Sequence, residues 1–289
     1  MVRGNLGLAK RCAVQRATPG IFGILNITRD SFSDGGRYFD ADAAIEHGRR
    51  LAASGADVID IGAESTHPDA EDVPAEEEIA RLEPVVRELR HDGLSISVDA
   101  YKPAVITRAL ELGVDFINDV TALRDPDAVA AVRDSNARLV LMHSVSADAR
   151  AARTDESAET IVDRIEAFFA DRLRELASAG IARERIILDP GMGFFLSRDP
   201  RASVRVLAEL PRLRQLGLPL LISTSRKSFI GALLAGDAEP RPADERGAGT
   251  LATELWAALN GADYIRTHDP RALSDTLTLW HKIATSNEQ

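Results

Sequence analysis

Eight short apolar runs that each end in polar residues constrain the fold of this chain most strongly. Runs rich in β-branched residues that alternate with helical segments are typical of buried parallel strands. We predict strands at residues 22–28, 58–62, 95–99, 116–120, 138–143, 186–189, 220–224 and 264–268. Eight such units predict an α/β fold, the (β/α)8 or TIM barrel, in which every strand delivers its last residues to one catalytic rim.

Segments with a helical period separate the predicted strands. In residues 157–179, for example, apolar residues recur at spacings of three and four, which indicates a helix buried on one side. The other predicted helices are 42–53, 76–90, 103–112, 126–135, 200–216, 249–260 and 270–284. Near-identical Gly-Ala-Asp or Gly-Val-Asp sequences precede three strands, as expected of a repeated βα unit. We therefore expect one barrel domain at residues 21–289 after an N-terminal extension at residues 1–20.

Composition narrows the range of partners. The 289 residues carry a net charge of −10, and an acidic chain is a poor candidate for binding nucleic acid. No apolar stretch approaches the ~20 residues that span a bilayer, so we expect no membrane association. The single cysteine, Cys12, excludes an internal disulfide and favours a cytoplasmic location.

Three predicted loops on the catalytic rim are longer than turns require. They cover residues 29–40, 64–75 and 144–156, and loops of this length often act as lids. The first, which is rich in aromatic residues, is either a mobile cover or plain disorder. In the third, Arg150 and Arg153 are interpreted as part of a solvated loop.

Polar residues at three strand ends form a first candidate group. Asp99, Asn118 and Asp189 would converge in the mouth of the barrel. Two carboxylates and an amide suit a flat heterocycle with amidine-like N–H groups, to which Lys227 could donate a further hydrogen bond. Each residue alone could be a helix cap or loop anchor, but the set indicates a binding site.

A second candidate group would lie at the barrel opening. It comprises Asn26, Thr66, Arg266 and His268, and its arginine and histidine suit phosphate-type oxygens. Mg²⁺ held by Asn26, waters and a diphosphate would match the oxygen ligands that this ion prefers. His143 also ends a strand, but no adjacent residue indicates whether it faces the site.

Seven segments resemble the dihydropteroate synthase family, and they occur in the family's order over about residues 22–285. They are residues 26–36, 62–68, 97–102, 117–120, 189–193, 225–231 and 266–268. The resemblance implies condensation of 6-hydroxymethyl-7,8-dihydropterin diphosphate with p-aminobenzoate in folate biosynthesis, releasing 7,8-dihydropteroate and pyrophosphate. It also implies a homodimer.

The same resemblance implies a role for each candidate residue. The family's pterin contacts fall on Asp99, Asn118, Asp189 and Lys227, and its diphosphate and Mg²⁺ contacts fall on Asn26, Thr66, Arg266 and His268. The implied catalytic residues are Asp99, Lys227, Arg266 and His268. Ser228 and the loops around Phe32 and Thr66 would border p-aminobenzoate.

Departures from the family pattern suggest a subtype. His67 stands where the family usually has arginine, and the segment after Asp189 is about two residues longer than usual. These features resemble the acquired, sulfonamide-insensitive dihydropteroate synthases. The added aromatic Phe194 could admit a planar carboxylate and clash with a wider sulfonyl group. Alternatively, Phe194 and Phe195 merely pack a loop.

Two other functions remain open from the sequence. A pterin-binding methyltransferase that uses methyltetrahydrofolate and a corrinoid would share the pterin carboxylates, but it would not need Arg266 and His268. The other is an inactive paralogue that binds pterin without turnover, and the presence of the expected polar residues argues against it. Among the expected polar residues, only the arginine replaced by His67 is missing.

Overall fold

The computed structural model describes residues 18–28, 40–67, 70–146, 149–151, 153–236 and 238–286. Most of the predicted extension at residues 1–20, with Cys12, lies outside these residues, and so does the predicted loop at residues 29–40 apart from Asp40. Within the described residues, no helix is long and apolar enough to cross a membrane.

Eight parallel strands form the predicted barrel, and their order in the sheet is β6-β5-β4-β3-β2-β1-β8-β7. A parallel bridge between Leu188 and Leu220 joins the two outermost strands and closes the ring. The strands are β1 Gly20–Asn26, β2 Val58–Gly62, β3 Ile96–Asp99, β4 Phe116–Asp119, β5 Arg138–Met142, β6 Ile186–Asp189, β7 Leu221–Ile222 and β8 Tyr264–Thr267. β7 is shorter than predicted because the chain turns after it, with Lys227 N–H donating to Thr224 O at 3.1 Å.

Helices pack around the barrel between the strands. They are α1 Ala41–Ala53, α2 Ala75–His91, α3 Pro103–Glu111, α4 Pro126–Arg133, α5 Ile161–Ser178, α6 Pro200–Ala208, α7 Leu210–Leu213, α8 Ser228–Ala235, α9 Gly247–Asn260 and α10 Pro270–Thr285. The helix predicted at 200–216 is divided into α6, α7 and a 3-10 turn, because Pro211 cannot donate the backbone hydrogen bond that would continue α6. α8 was missed by the prediction.

Aromatic side chains fill the amino-terminal end of the barrel interior. Phe22 makes edge contacts with Phe116 and Tyr264, with ring centroids 5.2 and 5.5 Å apart. The Arg138 guanidinium lies over both of the latter rings, and its Nη1 donates to the Tyr264 hydroxyl at 2.7 Å. Since this end is packed, a ligand can enter the barrel interior only from the carboxyl ends of the strands.

A buried carboxyl lies in the helix layer behind β8. Glu254 on α9 is fully buried, and neither of its carboxyl oxygens lies within hydrogen-bonding geometry of a donor in the described part of the chain. Burial raises the pKa of Glu254 from 4.5 to about 8. At neutral pH the folded protein therefore holds this group in its uncharged form.

We expect the substitution Glu254→Gln to remove a pH-dependent loss of stability. The folded-state pKa lies above the unfolded value, so folding takes up a proton between pH 4.5 and 8, and stability falls as pH rises through that window. The free energy of unfolding of the variant relative to the natural chain should increase by on the order of 3 kcal/mol from pH 5 to pH 8. Urea unfolding at both pH values measures this, and an unchanged difference would show that the carboxyl is ionised in the folded state.

Candidate active site

A cavity of about 890 Å³ opens at the carboxyl ends of the strands. Most of the predicted site residues line it: Asn26, Thr66, Asp99, Phe194, Lys227, Ser228, Arg266 and His268. The other two, Asn118 and Asp189, are buried beside this group. The structure thus brings together residues from seven strands or the segments that follow them, as the barrel prediction required.

An ion-paired arginine lies at the centre of the site. Arg266 on β8 donates from Nε to Asp60 Oδ2 at 2.5 Å and from Nη2 to Asp99 Oδ2 at 2.9 Å. Burial lowers the pKa of this guanidinium, but the two carboxylates outweigh burial and raise it. Arg266 is therefore charged, and it connects the predicted pterin group to the predicted diphosphate group.

Asp60 is the site residue to which the sequence reasoning assigned no role. It is fully buried on β2, and its Oδ2 also accepts from Asn118 Nδ2 at 3.3 Å. Asp60 Oδ1 has no hydrogen-bond partner among the described residues. The available signal was an aspartate in the middle of the apolar run 58–62, since a buried acid is expensive unless it is paired.

The backbone after β6 fixes the orientation of Asp189. Its Oδ1 accepts from Gly191 N–H at 2.8 Å. Gly191 has φ +74°, and a Cβ there would lie 2.4 Å from His143 O, so only glycine fits. Burial raises the pKa of Asp189 to about 6, while Gly191 N–H and Lys227 oppose that rise. Asp189 is therefore mostly ionised at neutral pH and can accept hydrogen bonds.

Lys227 lies directly before α8, with its Nζ 5.0 Å from the centroid of the Phe195 ring. Burial and Arg266 lower its pKa to about 8, against the pull of Asp189 and Asp99. The preceding residue, Arg226, has a left-handed φ of +57°. This turn is held by Arg226 N–H donating to Thr250 Oγ1 at 3.0 Å and by Arg246 Nη1 donating to Arg226 O at 2.8 Å.

Burial shifts the pKa values of Asp99 and His268 in opposite directions. Burial raises the pKa of Asp99, Arg266 opposes this, and Asp60 adds to the rise. Burial and the cations Arg226, Arg266 and Lys227 lower the pKa of His268 to about 3. His268 is therefore neutral at physiological pH, with Nδ1 2.9 Å from Ser225 Oγ. The charge-assisted bond predicted for His268 would require an anion that raises its pKa.

Asn26 and Thr66 border the opening of the cavity. Asn26 is exposed at the end of β1, and its Oδ1 lies 3.8 Å from the point that a Cβ atom would occupy if Gly62 carried a side chain. Thr66 is half-buried, and its carbonyl accepts from Ala151 N–H at 3.1 Å. Both residues therefore present oxygen-bearing groups near the rim.

Two adjacent aromatic residues follow β6 in a 3-10 turn at Gly193–Phe195. Phe195 is buried and packs with Val120, Met142 and Ala151. Phe194 is only half-buried and lines the cavity, as Ser228 does at the start of α8. The loop-packing interpretation is therefore right for Phe195, while Phe194 also forms a wall of the site.

Other chemically active side chains lie apart from this cavity. His143 is buried against the Phe168 ring, with centroids 5.1 Å apart, and its Nδ1 lies 3.2 Å from Pro190 O. Its pKa is lowered to about 4 by burial. Within the described residues, Glu88, His91 and Asp92 could together hold a metal ion, but they are exposed at the far end of α2.

Comparison with known proteins agrees with this geometry. Residues 22–268 match the family described as pterin binding enzyme. Dihydropteroate synthase type-2 of Escherichia coli is 50% identical over 260 residues, which cover 90% of this chain and 94% of that protein. The type-3 enzyme of Escherichia coli is 47% identical over 260 residues, covering 90% and 97%. The structure of Xanthomonas albilineans dihydropteroate synthase with 4-aminobenzoic acid has a TM-score of 0.82 at 42% identity, covering 93% of this chain and 94% of that one.

Proposed function

The chain belongs to the pterin-binding enzyme family, and we infer that it is a dihydropteroate synthase. It condenses 6-hydroxymethyl-7,8-dihydropterin diphosphate with p-aminobenzoate, giving 7,8-dihydropteroate and pyrophosphate in folate biosynthesis. The observation that carries this inference is the similarity over nearly the full length of dihydropteroate synthases. The convergence of the strand-end residues in one cavity supports it.

We propose that the buried half of the site binds the pterin ring. Asp189 would accept from the amino and ring N–H groups of the pterin, because its carboxylate is oriented by Gly191 and is mostly ionised at neutral pH. Asn118 would cover the mixed donor and acceptor edge, and Lys227 would donate to a ring oxygen or nitrogen. The groups lie in a low-dielectric environment, in which each such bond is strong.

We propose that the outer half binds the diphosphate. Arg266 and His268 would donate to its oxygens, with Thr66 and Asn26 at the rim. The exposed Asn26 oxygen also fits a Mg²⁺ ion, which is usually held by one or two protein oxygens together with waters and substrate phosphates. When bound, the ion would neutralise charge on the leaving group.

The proposed reaction breaks the bond between the pterin methylene carbon and the diphosphate oxygen. The bonding electrons leave with the diphosphate, whose charge Arg266 and His268 stabilise. The amine of p-aminobenzoate then forms the new C–N bond and loses a proton. Positive charge that develops on the pterin is favoured by Asp99, which lies in the same cavity. Loops over the cavity would exclude water, which competes with the amine.

We also propose that the protein acts as a homodimer in the cytoplasm. Three apolar side chains on α9 and α10 are strongly exposed: Trp256 at 49%, Leu279 at 60% and Ile283 at 65%. Apolar residues concentrated on outer helices are typical of surfaces that pair. The single cysteine of the chain is consistent with a reducing compartment.

Turnover of the purified protein tests the function. We expect release of pyrophosphate and formation of dihydropteroate that depend on both substrates. Asp189→Asn should lower kcat/KM for the pterin diphosphate by at least about 30-fold, because it removes a buried charged partner. The matched control is Asp199→Asn, since Asp199 caps α6 in the same loop and asparagine is an equally good cap.

Binding of a pterin without any turnover would identify the protein as an inactive paralogue. A spectral change on adding a corrinoid, together with methyl transfer, would identify a methyltransferase instead. Either result would contradict the proposed synthase.

We propose further that the enzyme discriminates against sulfonamides through Phe194. A sulfonamide carries a tetrahedral sulfonyl group and a substituent where p-aminobenzoate carries a planar carboxylate. Phe194 lines the cavity in the segment after β6, which we predict to be about two residues longer than is usual in the family, so its ring could obstruct the wider group. The similarity to the type-2 and type-3 enzymes is consistent with a shared active-site shape.

Deletion of Gly193 and Phe194 should restore sulfonamide inhibition. The shortened loop would remove the aromatic wall, so the inhibition constant of the sulfonamide should fall while the KM for p-aminobenzoate is retained. Competitive inhibition assays measure both constants. An unchanged inhibition constant with intact p-aminobenzoate kinetics would refute discrimination by this loop.

A further inference from the structure

The segment after β5 connects two walls of the cavity. We call residues 149–151 and 153–156 the bridge segment. On one side, Ala151 N–H donates to Thr66 O in the loop after β2 at 3.1 Å. On the other side, Arg198 N–H donates to Thr154 O at 2.8 Å, and Ser197 Oγ donates to Glu156 O at 2.9 Å. The loop predicted to be solvated therefore has an exposed Arg153 and a half-buried Arg150, and it is also hydrogen-bonded to both neighbouring loops.

The two arginines of the bridge segment extend toward different walls. Arg150 Nη2 pairs with Asp72 Oδ1 at 2.7 Å, in the loop after β2. Arg153 lies over the Phe194 ring, with Cζ 5.7 Å from the ring centroid. A guanidinium at this distance from an aromatic face makes a cation–π contact. Arg153 thus contacts the aromatic residue of the 3-10 turn that is only half-buried.

We propose that Arg153 is a specificity-determining residue that acts by holding the Phe194 ring in place as a wall of the cavity. This proposal rests on the proposed function, since it concerns how the same site separates p-aminobenzoate from sulfonamides. The guanidinium lies over the Phe194 ring, and the turn at Gly193–Phe195 fixes the backbone of that residue. Arg153 itself need not contact either ligand.

The difference between the two neighbouring aromatic residues explains why such a contact is needed. Phe195 is 4% exposed and lies under Lys227, so packing alone fixes its rotamer. Phe194 packs against the same cluster but is only half-buried, so packing restricts its rotamer less than that of Phe195. A ring that moves aside no longer excludes a wide ligand, whereas a planar ligand that fits beside it gains little from the movement.

The proposal predicts a selective effect of moderate size. An exposed cation–π contact corresponds to about a two- to fivefold change in an equilibrium constant. Arg153→Met should therefore lower the ratio of the sulfonamide inhibition constant to the KM for p-aminobenzoate by two- to fivefold. If Arg153 instead attracted the p-aminobenzoate carboxylate directly, Arg153→Met would raise KM for p-aminobenzoate and leave the sulfonamide inhibition constant unchanged.

A double-mutant cycle on the full-length enzyme tests the mechanism. The same ratio is measured, with sulfamethoxazole as the probe, for the natural chain, Arg153→Met, Phe194→Leu and the double variant. We expect Arg153→Met to lower the ratio in the natural background and to have no further effect once Phe194 is replaced. Arg150→Met is the matched control, because it removes the same charge from the same segment without touching Phe194, and it should leave the ratio unchanged.

Three results would overturn the proposal. They are an unchanged ratio in Arg153→Met, an equal decrease in both backgrounds, or an equal decrease in Arg150→Met. The first two leave the proposed function intact as long as dihydropteroate is formed. Failure of the natural chain to form dihydropteroate would contradict the proposed function instead, so the two failures are distinguishable.

Discussion

The buried ion pairs of Arg266 with Asp60 and Asp99 are the interaction on which the site depends. Charges removed from water are costly unless they are paired and hydrogen-bonded, and here one guanidinium pairs with carboxylates from two adjacent strands. Asp189 and Lys227 lie close enough for the charges of this network to affect their pKa values. The pKa of Asp189 is raised and that of Lys227 is lowered, so both move toward neutral pH. The site therefore combines buried hydrogen-bond acceptors with a charged guanidinium, which is the combination that the proposed binding of a pterin and a diphosphate requires.

The barrel makes this arrangement possible by giving its two ends different tasks. The amino-terminal end is packed by Phe22, Phe116 and Tyr264 around Arg138, which provides a rigid base. The carboxyl ends of the strands deliver polar residues, and the loops after β2, β5 and β6 are hydrogen-bonded to one another above them. Stability and chemistry are thus separated along the barrel axis, as is general for this fold.

The predictable features are those that repeat along the chain. Two of the eight strands, β2 and β6, have the predicted bounds, and the strand-end residues converge because parallel strands share a rim. The helix α8 was missed because Ser228–Ala235 is apolar after its first residue and has no amphipathic period. Asp60 pairs with Arg266, which is 206 positions away, and Arg153 contacts Phe194, which is 41 positions away. Neither interaction leaves a local pattern in the sequence. Tertiary pairing of this kind becomes visible only when the strands are assembled.

Calorimetric binding of a pterin that lacks the diphosphate is the most direct test of the central role of the Arg266 network. Asp60 is fully buried and pairs with Arg266 and Asn118, so its substitution should act on the ligand through these two residues. We expect Asp60→Asn to weaken pterin binding by about tenfold or more, because Arg266 loses a buried partner and shifts toward the remaining carboxylates. Equal affinity in the variant and the natural chain would contradict the view that this ion-paired arginine organises the site.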